Sequence, residues 1–261
     1  GVEGGRAFAF LSVFKWEERK GWDVLLRAYL NEFNSSKDEV VLYLRVTTDD
    51  ANKKDLASWL ARALCRDADS MAEVERGTSG GDTSQGSKLA EAKRADGGRP
   101  FCPDHSKAAV WRGAPPIVLL DEALPQADLP SLYRAVDAFV MPTRGEGWGR
   151  PVVEAMAMGL PVIVTNWSGT TAFLSERVSY PLPYDLVPSP AGGVHMWAEP
   201  SVAALRALMR RVVSRREEAA AIGAAARIDV GSRFSQAAVA ERLITRLEAL
   251  APVLAEKRER Q

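Results

Sequence analysis

The sequence predicts an α/β fold: a Rossmann-like parallel sheet with helices on both faces, interrupted by a disordered insertion. Two observations carry this. Short apolar runs alternate with segments whose apolar residues recur at helical spacing, the order expected of right-handed βαβ units. Several runs are apolar throughout, such as IVLL at 117–120 and PVIVT at 161–165, as strands buried on both faces must be. A length of 261 residues allows one large domain or two small ones, and 46% hydrophobic with 26% charged residues is an ordinary globular mix.

Taken in order, 7–14 (AFAFLSVF) reads as a buried strand, short and aromatic-rich. After Lys20 and Gly21, residues Trp22, Leu25, Leu26, Tyr29, Leu30 and Phe33 recur at helical spacing. Residues 40–46 (VVLYLRV) form a second strand, and Leu56, Trp59, Leu60, Ala63 and Leu64 mark a second amphipathic helix. From about 66 to 109 the chain is small, polar and of mixed charge, too poor in apolar surface to offset its ordering entropy, so it reads as a disordered insertion. Strands follow at 117–120, 138–141 and 161–165, with short helices expected at 128–136, from Pro151 to about Met158, and at 170–175. Residues 181–200 read as Pro- and Gly-broken chain. Helices then cover 201–214, 216 to about 227, and 235–250, the last with Val239, Leu243, Ile244 and Leu247 in phase.

Composition excludes several function classes. Thirty-four basic residues balance thirty-four acidic ones, so no net positive field draws the chain to nucleic acid or an anionic membrane. Two cysteines and two histidines, Cys65, Cys102, His105 and His195, are too few for a disulfide framework or a Cys/His metal site, and a reducing, cytosol-facing compartment is expected. No apolar run approaches the roughly 18 residues that a membrane span needs. Asp67 and Asp69 spell a D-x-D pair, but at the edge of the insertion they read as a solvated acidic stretch. Asn34-Ser35-Ser36 and Asn166-Trp167-Ser168 are glycosylation sequons; a glycan on the second would block the loop it lies in.

In a parallel α/β sheet, ligands bind beyond the carboxyl ends of the strands, so the loops after Phe14, Met141 and Thr165 should carry the chemistry. One segment stands out: PTRGEGWGRPVVEAMAMGLPVIVTNWSG, 142–169. Gly145, Gly147 and Gly149 punctuate a loop between a strand and a helix whose first turn holds Pro151. Glycine-loop amides and a helix N-terminus together make an anion site. Glu146 and Glu154 would repel a phosphate there unless they grip something else; carboxylates accept hydroxyl hydrogens well, so they suit sugar hydroxyls while amides take the phosphates. By themselves, Lys15 and Lys20 in KWEERK read as part of a solvated charge run, and Glu154 reads equally well as a helix-start carboxylate.

The E-x7-E spacing of Glu146 and Glu154 within EGWGRPVVEAMAMGLPVI resembles the retaining glycosyltransferases of the GT-B fold, of the glycosyltransferase family 4 (group 1) type. The flanks agree: FLSVFKWEERKGWDVLLRAY resembles the opening strand, basic residue and "KG" helix start, LPSLYRAVDAFVMPTRGEGWG the stretch before the glutamates, and TNWSGT the following small-residue loop. The resemblance implies a single donor-binding domain over 1–261, the C-terminal half of a GT-B enzyme, with the acceptor domain expected upstream. It implies a nucleotide diphosphate sugar as donor substrate, no metal or cofactor, and a glycan, lipid or protein acceptor. Residue by residue, it implies Glu146 near the donor sugar with Thr143 and the amides of Gly147, Trp148 and Gly149. It implies Glu154 on the ribose hydroxyls, and Lys15 and Lys20 on the diphosphate. Two positions depart from the family: Arg150 stands where an apolar residue is common, and Ala172 where many members carry Glu. A catalytically silent nucleotide-sugar-binding or interaction module of the same fold is the alternative, with a GT-B phosphorylase or epimerase third.

Overall fold

The structure is a computed structural model and describes residues 6–47, 114–120, 124–190, 192 and 194–259. The helix expected around Leu56–Leu64, the insertion expected over about 66–109, and Cys65, Asp67, Asp69, Cys102 and His105 lie outside the described residues.

Six parallel strands form the main sheet: β1 (Phe8–Lys15), β2 (Val40–Thr47), β3 (Ile117–Leu120), β4 (Ala138–Met141), β5 (Val162–Thr165) and β6 (Tyr180–Leu182), in the order β3-β2-β1-β4-β5-β6. The central β1 pairs with β2 along its length, Phe8 opposite Val40 through Lys15 opposite Thr47, and with β4 at Phe10–Ala138 and Leu11–Phe139. Strand alternation sends two sets of side chains to two helical layers. On one face Phe8, Phe10 and Phe14 pack with the inner residues of α1 (Trp22–Glu32) and α4 (Val202–Ser214). On the other, Leu11, Phe139, Met141, Val162 and Val164 pack with α2 (Leu129–Arg134), α3 (Arg150–Ala157) and α5 (Arg216–Phe234). The expected architecture, a parallel sheet covered on both faces, is the one observed.

The boundaries differ instructively. The stretch 181–200, expected to be broken chain, contains β6 and an antiparallel hairpin of β7 (Tyr184–Pro188) and β8 (Met196–Pro200). The prolines that argued against strands sit where the ladder tolerates them: Pro181 in the edge strand β6, Pro188 and Pro200 at hairpin strand ends. The helix expected at 170–175 is a 3-10 turn, Ser168–Ala172. Helix α5 continues past 227 to Phe234, because Ala226 and Val230 still meet the core although the alanine-rich sequence blurs the apolar period. Helix α6 (Gln236–Glu259) runs on through Pro252, and Val239, Leu243, Ile244 and Leu247, in phase as expected, are exposed.

Within α5, a Cβ added at the exposed Gly231 would meet nothing within 4 Å. Gly231→Ala should therefore raise stability by about 0.5–1 kcal/mol, the helix-propensity difference, seen as a higher denaturation midpoint at unchanged m-value.

Candidate functional site

The strand order reverses direction between β1 and β4, so the crevice of this sheet opens where the two loops after those strands face each other. Both loops are short and tied together. After β1, a 3-10 turn (Glu18–Lys20) ends on Gly21, whose φ of 66° is left-handed. The Arg19 carbonyl accepts from the Arg144 amide at 2.7 Å, and the Thr143 hydroxyl lies 3.1 Å from the same oxygen. After β4, the loop reaches Gly149, also left-handed at φ 85°, which caps the start of α3.

The turn and the loop meet at Lys20 and Glu146. Lys20 Nζ donates to both carboxylate oxygens of Glu146, at 2.7 and 2.9 Å, and Thr143 Oγ1 donates to Oε1 at 2.9 Å. Arg19 Nη1 stands 3.5 Å from Oε1 and donates to the Gly145 carbonyl. Lys20 is 13% exposed and Glu146 8%, which removes this pair from the surface class worth only about 0–1 kcal/mol. KWEERK is thus not a uniform solvated run: its last lysine turns inward. Lys15 behaves differently. It ends β1, half exposed, with its Nζ 3.2 Å from Glu17 Oε1.

Glu146 is also held through its backbone. Its amide donates to Ser168 Oγ at 2.8 Å, and its carbonyl accepts from Gly169 at 3.0 Å. Ser168 adopts a left-handed φ of 62°, a strained conformation for serine that aims its hydroxyl at the glycine loop. The loop after β5 therefore supports the loop after β4.

Glu154 is the fifth residue of α3, one position further into the helix than a start at Pro151 implies, because the helix begins at Arg150. Its Oε2 accepts from the Tyr133 hydroxyl at 3.0 Å and its Oε1 from Arg150 Nε at 3.1 Å. The ring of Trp148, 40% exposed, meets Phe173 and Phe234 edge-on at 5.4 and 5.2 Å, so part of its role is to fix the glycine loop to the end of α5.

Sequence reasoning missed Arg144, the buried hub of the site. Its guanidinium, 5% exposed, spends all five N–H donors: on both oxygens of Asp23 in α1 at 2.8 Å, on both oxygens of Glu199 in β8 at 2.7 and 2.9 Å, and on the Glu18 carbonyl at 2.7 Å. It also lies over the Trp197 ring at 5.2 Å. Burial disfavours charge on both Arg144 and Asp23, but their mutual pairing outweighs it, raising the Arg144 pKa and lowering that of Asp23. Arg19 and Ser168 were missed as well. The signal for Arg144 was its position inside the glycine segment; its partners lie 121 and 55 residues away, and no spacing announces them.

The structure thus brings Lys20, Thr143 and Glu146 into one bonded cluster, and sets Glu154 and Trp148 on the elements that continue from it. Lys15 sits apart, at the strand end. Among the described residues no group of three or more His, Cys, Asp or Glu could hold a metal ion, and no helix is long and apolar enough to cross a membrane.

Comparison with known proteins places this site in context. Residues 97–187, which span α2, β4, α3, β5 and the glycine loop, match the model of the family "Glycosyl transferases group 1". The O-antigen chain mannosyltransferase B of Escherichia coli is 49% identical over 43 residues, 16% of this chain and 11% of that protein. The chain therefore matches only a small part of its curated relatives' length. Among solved structures, the C-terminal domain of the group 1 family glycosyl transferase LpcC from Francisella tularensis superimposes with a TM-score of 0.53 at 14% identity, covering 88% of each chain. HepE of Anabaena, solved in complex with UDP-glucose, superimposes with a TM-score of 0.56 at 16% identity, covering 94% of this chain and 49% of that one. At such identities the structural likeness shows the fold.

Proposed function

We propose, for a chain that carries a group 1 glycosyl transferase segment, that it is the donor-binding half of a retaining GT-B glycosyltransferase. It would take a nucleotide diphosphate sugar as donor substrate and work with an acceptor-binding half on a glycan, lipid or protein hydroxyl. One observation carries the reading: the Lys20–Glu146–Thr143 cluster sits beside the N-terminus of α3, at the crevice between β1 and β4, with Glu154 on the same helix. The proposal treats 1–261 as a single domain and keeps the cytosol-facing setting that its sparse cysteines suggested.

In this reading the glycine-loop amides of Gly147, Trp148 and Gly149 and the helix N-terminus face the donor's anionic end, and Glu154 faces the ribose hydroxyls. Lys20, with Lys15 at the mouth, stabilises the charge that develops on the departing diphosphate. The bond from the sugar's anomeric carbon to the diphosphate oxygen breaks, and the acceptor oxygen bonds to that carbon on the same face. The hydroxyl proton passes to the leaving phosphate, so no protein nucleophile is needed. Because Glu146 already holds Lys20, a diphosphate must share that cation or take it. A carboxylate released in this way is free to accept sugar hydroxyls, which couples donor entry to the exposure of Glu146.

Calorimetric titration with UDP- and GDP-sugars tests the reading. The chain should bind one donor class, and Lys20→Ala and Glu154→Gln should each weaken binding at least about tenfold, the scale of one hydrogen bond to a charged group. Absence of binding to either class, or variants that bind as well as the parent, would overturn it. Donor hydrolysis or transfer, assayed with the acceptor-binding half present, separates a transferase from a silent binding module.

A further inference from the structure

Glu154 has a second determinant behind it. Tyr133, on α2, is 2% exposed, and its ring packs against Phe139 at 6.1 Å in the core beneath the sheet. Only its hydroxyl reaches outward, donating to Glu154 Oε2 at 3.0 Å, with the Pro151 carbonyl a longer alternative acceptor at 3.4 Å. Arg150 approaches the other oxygen at 3.1 Å but is 71% exposed, a single contact on a long side chain that water and salt can replace. One carboxylate oxygen is thus fixed from the core and the other is held loosely from the surface.

We infer that Tyr133 is a positioning residue for a ligand's vicinal diol: its buried hydroxyl sets the orientation in which Glu154 offers its remaining acceptor sites to two adjacent hydroxyls. This rests on the reading that Glu154 faces the ribose of a nucleoside diphosphate. A carboxylate has roughly four acceptor sites, and with two occupied, two remain for a diol. Their direction is useful only if the carboxylate does not rotate, and a partly exposed glutamate without a buried partner loses that constraint to rotamer entropy. Burial and the neighbouring Glu154 carboxylate both push the Tyr133 pKa upward, so the phenol stays a hydrogen donor across the working range. The core position of the ring keeps the donor fixed whether or not ligand is present, which is preorganisation.

The test compares UDP with 2′-deoxy-UDP, and GDP with 2′-deoxy-GDP, by calorimetry on the full chain. The parent should prefer the ribonucleotide of whichever base it binds. Tyr133→Phe keeps the buried ring and removes one oxygen; it should shrink the ribo/deoxy affinity ratio roughly tenfold while leaving deoxynucleotide affinity near the parent's. Because the ratio is taken within one variant, a loss of folded protein cancels from it. Arg150→Leu should shrink it less, and in a Glu154→Gln background Tyr133→Phe should add nothing. An unchanged ratio in Tyr133→Phe, a larger effect of Arg150→Leu, or a further loss on Glu154→Gln would overturn the inference. If the parent binds no nucleotide, the donor-site reading itself falls. If it binds both sugars equally, Glu154 does not face the diol and Tyr133 has no such role.

Discussion

Arg144→Met should lower the unfolding free energy by about 3–5 kcal/mol at neutral pH, the cost of stranding buried charge. The arginine bonds three separate pieces at once: the turn at Glu18, α1 through Asp23 and the hairpin through Glu199. Methionine fills much of the same volume, so the loss reports charge and hydrogen bonding more than packing. Glu199, more than a third exposed, can turn to water, but Asp23 cannot, and most of the cost falls on it. The same substitution should loosen the turn that presents Lys20, because the Glu18 carbonyl keeps the Gly21 amide within the turn but loses the Arg144 donor that ties it to the loop after β4. Donor affinity measured well below the melting temperature should fall along with stability. Arg144→Lys should recover only a fraction, since an ammonium cannot serve two carboxylates in bidentate fashion.

The pH dependence has a definite sign. Arg144 depresses the Asp23 pKa in the folded protein below the unfolded value of about 3.9. A carboxylate depressed by folding adds stability that is fully present above its unfolded pKa and is lost as pH falls through the folded one. The parent should therefore lose this contribution only in strong acid. In Arg144→Met the buried Asp23 is left with Arg27, 3.6 Å away and a third exposed, so its pKa rises from the parent's and protonation relieves the strain. The stability gap between parent and variant should be widest near pH 7 and narrow toward pH 4, measured by urea titration at each pH. A gap independent of pH would show that the loss is packing, and that the ion pair contributes nothing net.

How much of this was legible in the sequence depends on the range of the interactions. The strands at 117–120 and 138–141 were readable to the residue because each is an uninterrupted apolar run; 138–141 is buried throughout, as such a run implies, whereas 117–120 is an edge strand and only half-buried. The glycine loop was readable because glycine and proline mark conformation directly. The hairpin at 184–200 was not: its prolines mimic broken chain, and its value lies in Glu199 and Trp197, which matter only once Arg144 is beneath them. Lys20 could not be told from Lys15 by spacing. Lys15 ends β1 and Lys20 stands five residues on, and only the left-handed turn at Gly21 sends the second inward to Glu146 while the first stays beside Glu17. Tyr133 falls within the helix expected at 128–136, where helical spacing accounts for its ring and is silent about its hydroxyl.

Gly21→Ala should be the most damaging single-methyl change near the site. The turn needs φ near 66°, which costs an alanine roughly 1–2 kcal/mol. A Cβ there would also stand 1.8 Å from the Pro142 carbonyl oxygen and 2.8 Å from its carbon. Those are backbone atoms at the end of β4, so no side chain can swing away and the two loops must separate. Separation breaks the hydrogen bond from the Arg144 amide to the Arg19 carbonyl, carries Thr143 off that same carbonyl and withdraws Lys20 from Glu146. Several kcal/mol of stability should be lost in total, and donor binding should weaken by more than Lys20→Ala alone, since the positions of both loops change. Gly147→Ala is the stability control: its Cβ would meet nothing within 4 Å and its φ is not left-handed, so its melting temperature should stay close to the parent's. If Gly21→Ala melts like Gly147→Ala, the turn is not pressed against β4, and the close approach that turns Lys20 inward is not what builds the site.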